Sequence, residues 1–162
     1  EDIMKIRILT IGKLKEKYLT AAVEEFEKRL TPFCRINIKS INEEKMPDNP
    51  SAATKQQVLE KETKRLLALI PDNSYVIALD VAGKMISSPE LSEKISKLAL
   101  DGKSHITFVI GGAFGYTDEL RQRADFLWSF SALTFTHQMI RVLLLEQIYR
   151  AFKIMRNEKY HH

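Results

Sequence analysis

Two segments of the sequence have the composition of ligand-binding loops. The first is the glycine turn Gly111, Gly112 and Gly115, which directly follows the apolar run 106–110. Glycine lets the backbone approach a ligand closely, and open α/β sheets bind ligands at the carboxyl ends of their strands. The turn lacks both G-x-G-x-x-G and the Lys-Ser/Thr pair of a P-loop, which excludes the common nucleotide motifs. An ordinary structural turn is the alternative.

The second segment, 129–135, mixes serine, threonine and alanine with phenylalanine and leucine, and it follows the apolar residues 126–128. This composition suits a ligand-binding loop and equally suits an ordinary strand and turn. Three side chains nearby in sequence or at the chain end could transfer protons, namely His137, Tyr160 and His161. For His137 the alternative is a capping or packing role, and for the last two it is a frayed terminus or the start of a purification tag.

Positive charge is concentrated toward the end of the chain. The net charge is +4, and the segment from residue 141 onward has five basic residues against two acidic ones. A charge this mild excludes a histone-like polycation but permits an anionic partner. The candidates for phosphate contacts are Arg141, Arg150, Lys153 and Arg156, and the alternative is that they form the solvated face of a helix.

Composition limits the class of protein. Hydrophobic residues make up 44% and charged residues 28%, as expected of a globular domain. The single Cys34 excludes an internal disulfide and a multi-cysteine zinc site, and we expect it to be a small buried side chain. No apolar run is long enough for a bilayer and no signal-like stretch begins the chain, so we predict a cytoplasmic protein. We expect one domain over 1–162 and assign no role to residues 1–3, which precede Met4.

Strand and helix patterns alternate along the chain, which predicts an α/β fold with a mainly parallel sheet and helices on both faces. The alternating segment 35–41 suits an edge strand, whereas the apolar runs 75–79 and 106–110 suit central strands. A polar helix over 52–70 carries a narrow apolar stripe and should lie on the surface; the stripe consists of Leu59, Leu66 and Ile70.

The last predicted helix, 136–156, is apolar around most of its circumference. A single sheet cannot cover such a helix, so it should be buried on more than one side. We therefore predict a subunit interface, for which a twofold homodimer is the commonest arrangement. A central helix buried within one subunit is the alternative.

Seven short segments together resemble the large-subunit rRNA pseudouridine-N3 methyltransferases over nearly the whole chain from Met4. They are Lys-Leu-Lys at 13–15, Ala-Leu-Asp at 78–80 with Gly-Lys at 83–84, the segment 108–112, the loop 130–135, His-Gln-Met at 137–139, the segment 146–151 and Tyr-His at 160–161. The resemblance implies a homodimeric SPOUT-class enzyme with a carboxyl-terminal trefoil knot. Its cofactor would be S-adenosylmethionine.

The resemblance also assigns roles to residues. Those implied to line the cofactor pocket are Leu79, Gly111, Gly112, Phe130, Ser131, Ala132, Leu133, Thr134 and Phe135. Tyr160 and His161 would face the target nucleotide near the dimer interface. Three positions depart from the family pattern. Thr136 stands where a proline is common, Asn157 stands where a glycine is common, and Lys159 stands where a small residue or a proline is common. We expect the first to loosen the start of the last helix and the others to alter the tail.

The implied reaction transfers a methyl group from the sulfonium of S-adenosylmethionine to N3 of a pseudouridine, with rRNA in an assembled ribosome as substrate. It requires alignment of N3 with the methyl group and removal of the N3 proton. Tyr160, His161 or His137 are candidates to accept that proton, and the reaction needs no metal. One alternative is a non-catalytic RNA-binding or ribosome-assembly factor with the same fold. Another, suggested by the α/β pattern alone, is a flavodoxin-like nucleotide or phosphate binder.

Overall fold

A computed structural model describes residues 3–112 and 114–157. Strands and helices alternate over most of this length. The elements are β1 Lys5–Ile11, α1 Lys17–Leu30, β2 Arg35–Ile41, α2 Ala52–Ala68, β3 Tyr75–Met85, α3 Ser88–Leu100, β4 His105–Ile110, α4 Asp118–Arg123, β5 Phe126–Ser129 and α5 His137–Met155.

The five strands form one parallel sheet in the order β2-β1-β4-β3-β5. β2 is an edge strand, as its alternating sequence predicted, and the apolar β3 and β4 lie inside the sheet. The predicted α/β class with a mainly parallel sheet is confirmed. β3 continues beyond its apolar run, and its pairing with β5 is interrupted between Leu79 and Lys84.

Helices cover both faces of the sheet, also as predicted. α5 packs against α1 and α3 over one face, in the larger core cluster that contains Ile8, Phe108 and Ile148. α2 and α4 cover the other face, where Leu66 and Leu120 pack on Val109 and its neighbours. Cys34 is buried in the larger cluster, where burial raises the pKa of its thiol to about 12, so it acts as a small apolar side chain.

Two of the three residues predicted for the apolar stripe are buried, Leu66 in α2 and Ile70 just after it, but α2 buries a wider face than predicted. Its buried residues are Val58, Glu62, Thr63 and Leu66, whereas Leu59 is only partly buried. The wider face includes a carboxylate and a hydroxyl, and both have hydrogen-bond partners. Glu62 accepts a hydrogen bond from the Glu44 N–H, and the Thr63 hydroxyl accepts one from the Thr117 N–H. Buried polar groups need such partners, which an apolar stripe does not reveal.

Two departures from the family pattern fit the ends of α5. The Thr136 hydroxyl accepts a hydrogen bond from the Met139 N–H, so threonine caps this helix rather than loosening its start. Asn157 has a φ of 59°. That left-handed conformation is common just after a helix and, after glycine, asparagine adopts it most readily. The third departure, Lys159, lies outside the described residues.

α5 buries one face within the subunit, including Ile140, Leu144, Ile148 and Phe152. Other apolar residues on the same helix remain partly exposed, among them Val142, Leu143 and Met139. The subunit thus covers only part of the apolar circumference. Of the helices in the described residues, none is both long and apolar enough to span a membrane.

Candidate active site

A cleft of about 500 Å³ lies at the carboxyl ends of β3, β4 and β5. Three segments form its walls: residues 79–81 of β3, the glycine turn 110–116 without residue 113, and the segment 128–135. The first residues of α5 close one side, where His137 and Ile140 line the cleft. The parallel sheet brings these segments together because all its strands end at the same edge.

Tyr116 holds the glycine turn against the end of β4. Its side chain is buried, and its hydroxyl donates to the Val109 carbonyl at 2.8 Å and accepts from the Gly111 N–H at 2.9 Å. Burial raises the pKa of Tyr116, so the hydroxyl stays protonated and can make both contacts. A Cβ added to Gly111 would lie 2.8 Å from Cε1 of Tyr116. Glycine at 111 therefore makes room for Tyr116 as well as exposing backbone to the cleft.

Asp80 and Arg121 form an ion pair in the β3 wall of the cleft. The Asp80 carboxylate lies 2.7 Å from Nε of Arg121 and also accepts from the Ala82 N–H at 3.0 Å. Burial of Asp80 acts to raise its pKa, but the hydrogen bonds from Arg121 and Ala82 outweigh that effect and hold the pKa below its usual value. Asp80 is therefore an anion fixed in position, with Arg121 between it and Asp118.

The third wall is the loop predicted from its mixed composition. The Ser131 side chain accepts from the Leu133 N–H, and the Ser129 hydroxyl donates to the Ser131 carbonyl. These hydrogen bonds lie within the loop. At the rim of the cleft, Leu133 is 70% exposed and Phe135 is 43% exposed. The rings of Trp128 and Phe130 pack against each other at a tilt of 53°, with centroids 4.5 Å apart.

The cleft brings together most residues that the sequence analysis assigned to cofactor binding. Leu79, Gly111, Gly112 and all of the loop 130–135 except Ala132 line it, and so does His137. Nε2 of His137 is 4.0 Å from Oε1 of Glu43 in the segment after β2. Tyr160 and His161 lie outside the described residues.

None of the four basic residues proposed for phosphate contacts lines the cleft. Arg141 is only 5% exposed, and its guanidinium donates to the carbonyls of Ile11 and Gly12 at 2.8 Å. Arg141 therefore links α5 to the end of β1, and its guanidinium is not available to contact RNA.

The other three basic residues lie nearer the surface of α5. Arg150 pairs with Glu146 one turn earlier, and Lys153 lies over the Tyr149 ring. The Arg156 guanidinium donates to the Pro32 carbonyl and stacks on Phe33 at 4.2 Å. Each has contacts within the subunit, although their side chains are less buried than that of Arg141.

Comparison with known proteins decides the family. Residues 4–161 match the family model described as "Predicted SPOUT methyltransferase". The chain is 52% identical over 158 residues to a "Ribosomal RNA large subunit methyltransferase H" from Clostridium kluyveri, covering 98% of this chain and 99% of that protein. A protein of the same name from Halothermothrix orenii is 51% identical, again over 98% of this chain and 99% of that protein. The chain belongs to the SPOUT methyltransferase family.

Solved structures support the fold of this SPOUT methyltransferase at much lower identity. A probable methylase family protein from Haemophilus influenzae matches with a TM-score of 0.54 at 15% identity, over 97% of this chain and 70% of that one. A probable methyltransferase from Bordetella pertussis matches with a TM-score of 0.53 at 12% identity, over 91% and 93%.

Several cleft residues of the SPOUT methyltransferase were not assigned to the site from sequence, and those that make side-chain polar contacts in its walls include Asp80, Tyr116 and Arg121. Asp80 carried a usable signal, since it is a carboxylate directly after the apolar residues of a central strand. Tyr116 carried a weaker one, because an aromatic residue that closes a glycine turn is often packed against it. Arg121 pairs with Asp80 across 41 residues, and no local pattern predicts such a contact.

Proposed function

We propose that this chain is an S-adenosylmethionine-dependent methyltransferase that acts on N3 of a pseudouridine in large-subunit ribosomal RNA. The observation that carries the proposal is the cleft at the carboxyl edge of the sheet, in a chain of the SPOUT methyltransferase family. The relatives' shared name specifies large-subunit rRNA as what those proteins methylate. The pseudouridine and its N3 atom come from the family resemblance of the sequence motifs.

The cleft fits the cofactor in size and in chemistry. Its volume of about 500 Å³ lies within the range of roughly 300 to 1,000 Å³ usual for ligand pockets. Its walls combine apolar side chains, exposed backbone at Gly111 and Gly112, and the rim residues Leu133 and Phe135. Nε1 of Trp128, in one wall, is buried and has no hydrogen-bond partner among the described residues. When bound, S-adenosylmethionine supplies a methyl group already activated on a sulfonium.

The chain must position the uracil ring and accept its N3 proton. His137 lines the cleft, and an imidazole is a side chain that can accept a proton, so we propose His137 as one candidate for this step. We propose Tyr160 and His161 as further groups at the target nucleotide, on the family resemblance alone. Arg150, Lys153 and Arg156 are proposed phosphate contacts, for which the exposed parts of their side chains would be used.

We further propose a homodimer with a trefoil knot in its carboxyl-terminal half, acting on the assembled ribosome in the cytoplasm. The dimer is supported by exposed apolar side chains at the rim of the cleft and at the start of α5, namely Phe135 and Met139. A second subunit would cover them together with the uncovered side of α5. Light scattering on the purified protein at micromolar concentration tests this, and a monomer would contradict it. The knot rests on the family resemblance.

The decisive experiment incubates the protein with methyl-labelled S-adenosylmethionine and ribosomes that lack the modification, followed by mapping of the labelled nucleotide. We expect one labelled pseudouridine in the large-subunit rRNA. Cofactor binding without any transfer to ribosomes would instead favour the non-catalytic assembly factor. Deletion from Lys159 onward should abolish transfer but leave cofactor affinity intact if Tyr160 and His161 act at the target. Full activity of the truncated protein would reject their role.

The cofactor pocket needs its own test, for which a substitution at Gly111 is unsuitable. A side chain at 111 would strike Tyr116, so lost binding could come from a displaced turn rather than a blocked cleft. Leu133→Ala is the better test because Leu133 lines the cleft but is exposed, so its loss should not disturb the packing of the turn. Calorimetry should show weaker S-adenosylmethionine binding for Leu133→Ala and unchanged binding for Leu100→Ala, an exposed leucine at the end of α3. Equal affinities would place the cofactor elsewhere.

A further inference from the structure

The amino edge of the sheet, opposite the cleft, carries a row of basic side chains. Lys5 of β1 is in register with Arg35 of β2 on one side and with His105 of β4 on the other. Residues paired in this way project from the same face of a sheet. Arg7 follows two residues later on that face, and a shallow hollow of about 150 Å³ is lined by all four residues and Asn37.

This row has no compensating acid in the described part of the chain. No carboxylate of residues 3–112 or 114–157 forms an ion pair with Lys5, Arg7, Arg35 or His105. Arg7 donates through Nη1 to the Leu69 carbonyl at the end of α2, while its buried Nε has no partner there. Burial, and then the charges of Arg7 and Lys5, lower the pKa of His105, so its imidazole is neutral near pH 7.

Like charges in register across a sheet repel one another and reduce stability. Lys5 and Arg35 are both exposed and lie on adjacent strands, so the fold retains an unfavourable arrangement that packing does not require. The row spans three strands, which is about 10 Å at the usual strand spacing. Within the row the exposed positive charges are those of Lys5 and Arg35 on the adjacent strands β1 and β2, and His105 is neutral. Two exposed cations side by side at an open edge suit the phosphates of a nucleic-acid backbone better than one small enclosed anion.

We propose that the row formed by Lys5, Arg7, Arg35 and His105 is a second rRNA-binding surface, which contacts backbone phosphates at the edge of the sheet opposite the cleft. The inference rests on the proposed function, since it takes the RNA to be the substrate rRNA. Arg35 and Lys5 supply the exposed charges, and arginine can hold a phosphate through two parallel hydrogen bonds. The neutral imidazole of His105 adds a hydrogen-bonding group. This surface fixes the orientation of the substrate and carries no sequence readout.

The test is the double substitution Lys5→Gln with Arg35→Gln, which removes two charges and keeps much of each side chain. Binding to protein-free large-subunit rRNA is measured across a series of KCl concentrations. At low salt we expect roughly tenfold weaker binding and a salt slope smaller by about 2, because two phosphate contacts are lost. The matched control, Lys61→Gln with Lys64→Gln, removes two exposed charges from α2 and should leave the slope close to that of the unmodified protein.

Stability and activity separate the remaining outcomes. The Lys5/Arg35 variant should unfold at the same temperature as the unmodified protein or higher, because a repulsion is relieved. Its kcat on saturating ribosomes and its cofactor affinity should be unchanged, with a raised KM for ribosomes.

A salt slope equal to that of the control variant would overturn the proposal. So would a raised KM on ribosomes with unchanged binding to protein-free rRNA, which would indicate an acidic protein as the partner. Absence of methyl transfer by the unmodified protein would count against the proposed function, while the rRNA binding series still decides this surface.

Discussion

Charged side chains at the two edges of the sheet are held in opposite ways. At the carboxyl edge they are enclosed and bonded within the chain: Arg141 to two backbone carbonyls, Asp80 to Arg121, and Glu62 to the Glu44 N–H. At the amino edge Lys5 and Arg35 are exposed and have no carboxylate partner in the described residues. Enclosed charges hold neighbouring elements of the chain together, whereas exposed like charges remain available to an external anion.

The largest effect should come from Arg141→Met. The substitution removes the donor for the Ile11 and Gly12 carbonyls and breaks the tie between α5 and β1. We expect a loss of about 2 to 4 kcal/mol in the free energy of unfolding, measured by urea denaturation. Arg35→Met at the amino edge should change that free energy by less than about 0.5 kcal/mol, as exposed substitutions do.

Arg141 also distinguishes structure from RNA binding. If its role is internal, rRNA binding by folded Arg141→Met should match that of the unmodified protein under conditions where both are fully folded. Unchanged stability together with weaker rRNA binding would restore Arg141 as a phosphate contact and contradict the arrangement described above.

The next effect should come from Tyr116→Phe, which removes one hydroxyl and leaves the Gly111 N–H and Val109 carbonyl without their partner. Leaving buried backbone groups unpaired should lower the free energy of unfolding by about 1 to 2 kcal/mol. S-adenosylmethionine binding should weaken several-fold in calorimetry, because the turn at the cleft loses its support. Tyr18→Phe, at a tyrosine that is 66% exposed, is the control and should alter neither quantity.

The sequence predicted the parts of this site that depend on local pattern. Apolar runs located β3 and β4, and the glycine turn and the loop 130–135 were assigned to one pocket that the structure assembles, with Ala132 outside it. A parallel sheet explains that success, because the segment after each strand has to meet the others at one edge.

The failures concern side chains whose surroundings are set by distant parts of the chain. Arg141 lies in the carboxyl-terminal helix, and nothing local shows that it will meet carbonyls about 130 residues away. Glu62 lies on a polar helix, where a carboxylate is expected to face solvent. In both cases burial depends on how a helix is rotated on the sheet. Apolar periodicity specifies this rotation poorly when the stripe is narrow, as in α2, and when apolar residues surround the helix, as in α5.

A smaller effect, dependent on pH, should come from Asp80→Asn. The pKa of Asp80 is lower in the folded chain than in the unfolded one, so its carboxylate contributes stability at neutral pH that is lost as the pH falls through the folded pKa. We expect Asp80→Asn to cost about 1 kcal/mol at pH 7, a modest value because Arg121 is partly exposed. The difference from the unmodified protein should shrink on acidification below the ordinary carboxyl pKa, and a difference that did not depend on pH would contradict the assignment.

The smallest effect should have the opposite sign. Burial, and then the charge of Glu43, raise the pKa of Glu62, so the ionised carboxylate is disfavoured in the folded chain and stability decreases as the pH rises through that pKa. Glu62→Gln keeps an oxygen for the Glu44 N–H but removes the charge, and it should increase the free energy of unfolding by less than about 1 kcal/mol at pH 7. Below the ordinary pKa of a glutamate the carboxyl is neutral in both states, and the increase should vanish. Glu60→Gln, at an exposed position on the same helix, should show no such increase. A loss of stability in Glu62→Gln at pH 7 would mean that the carboxylate has a favourable ionic partner at this edge, in addition to the ion pair of Asp80 with Arg121.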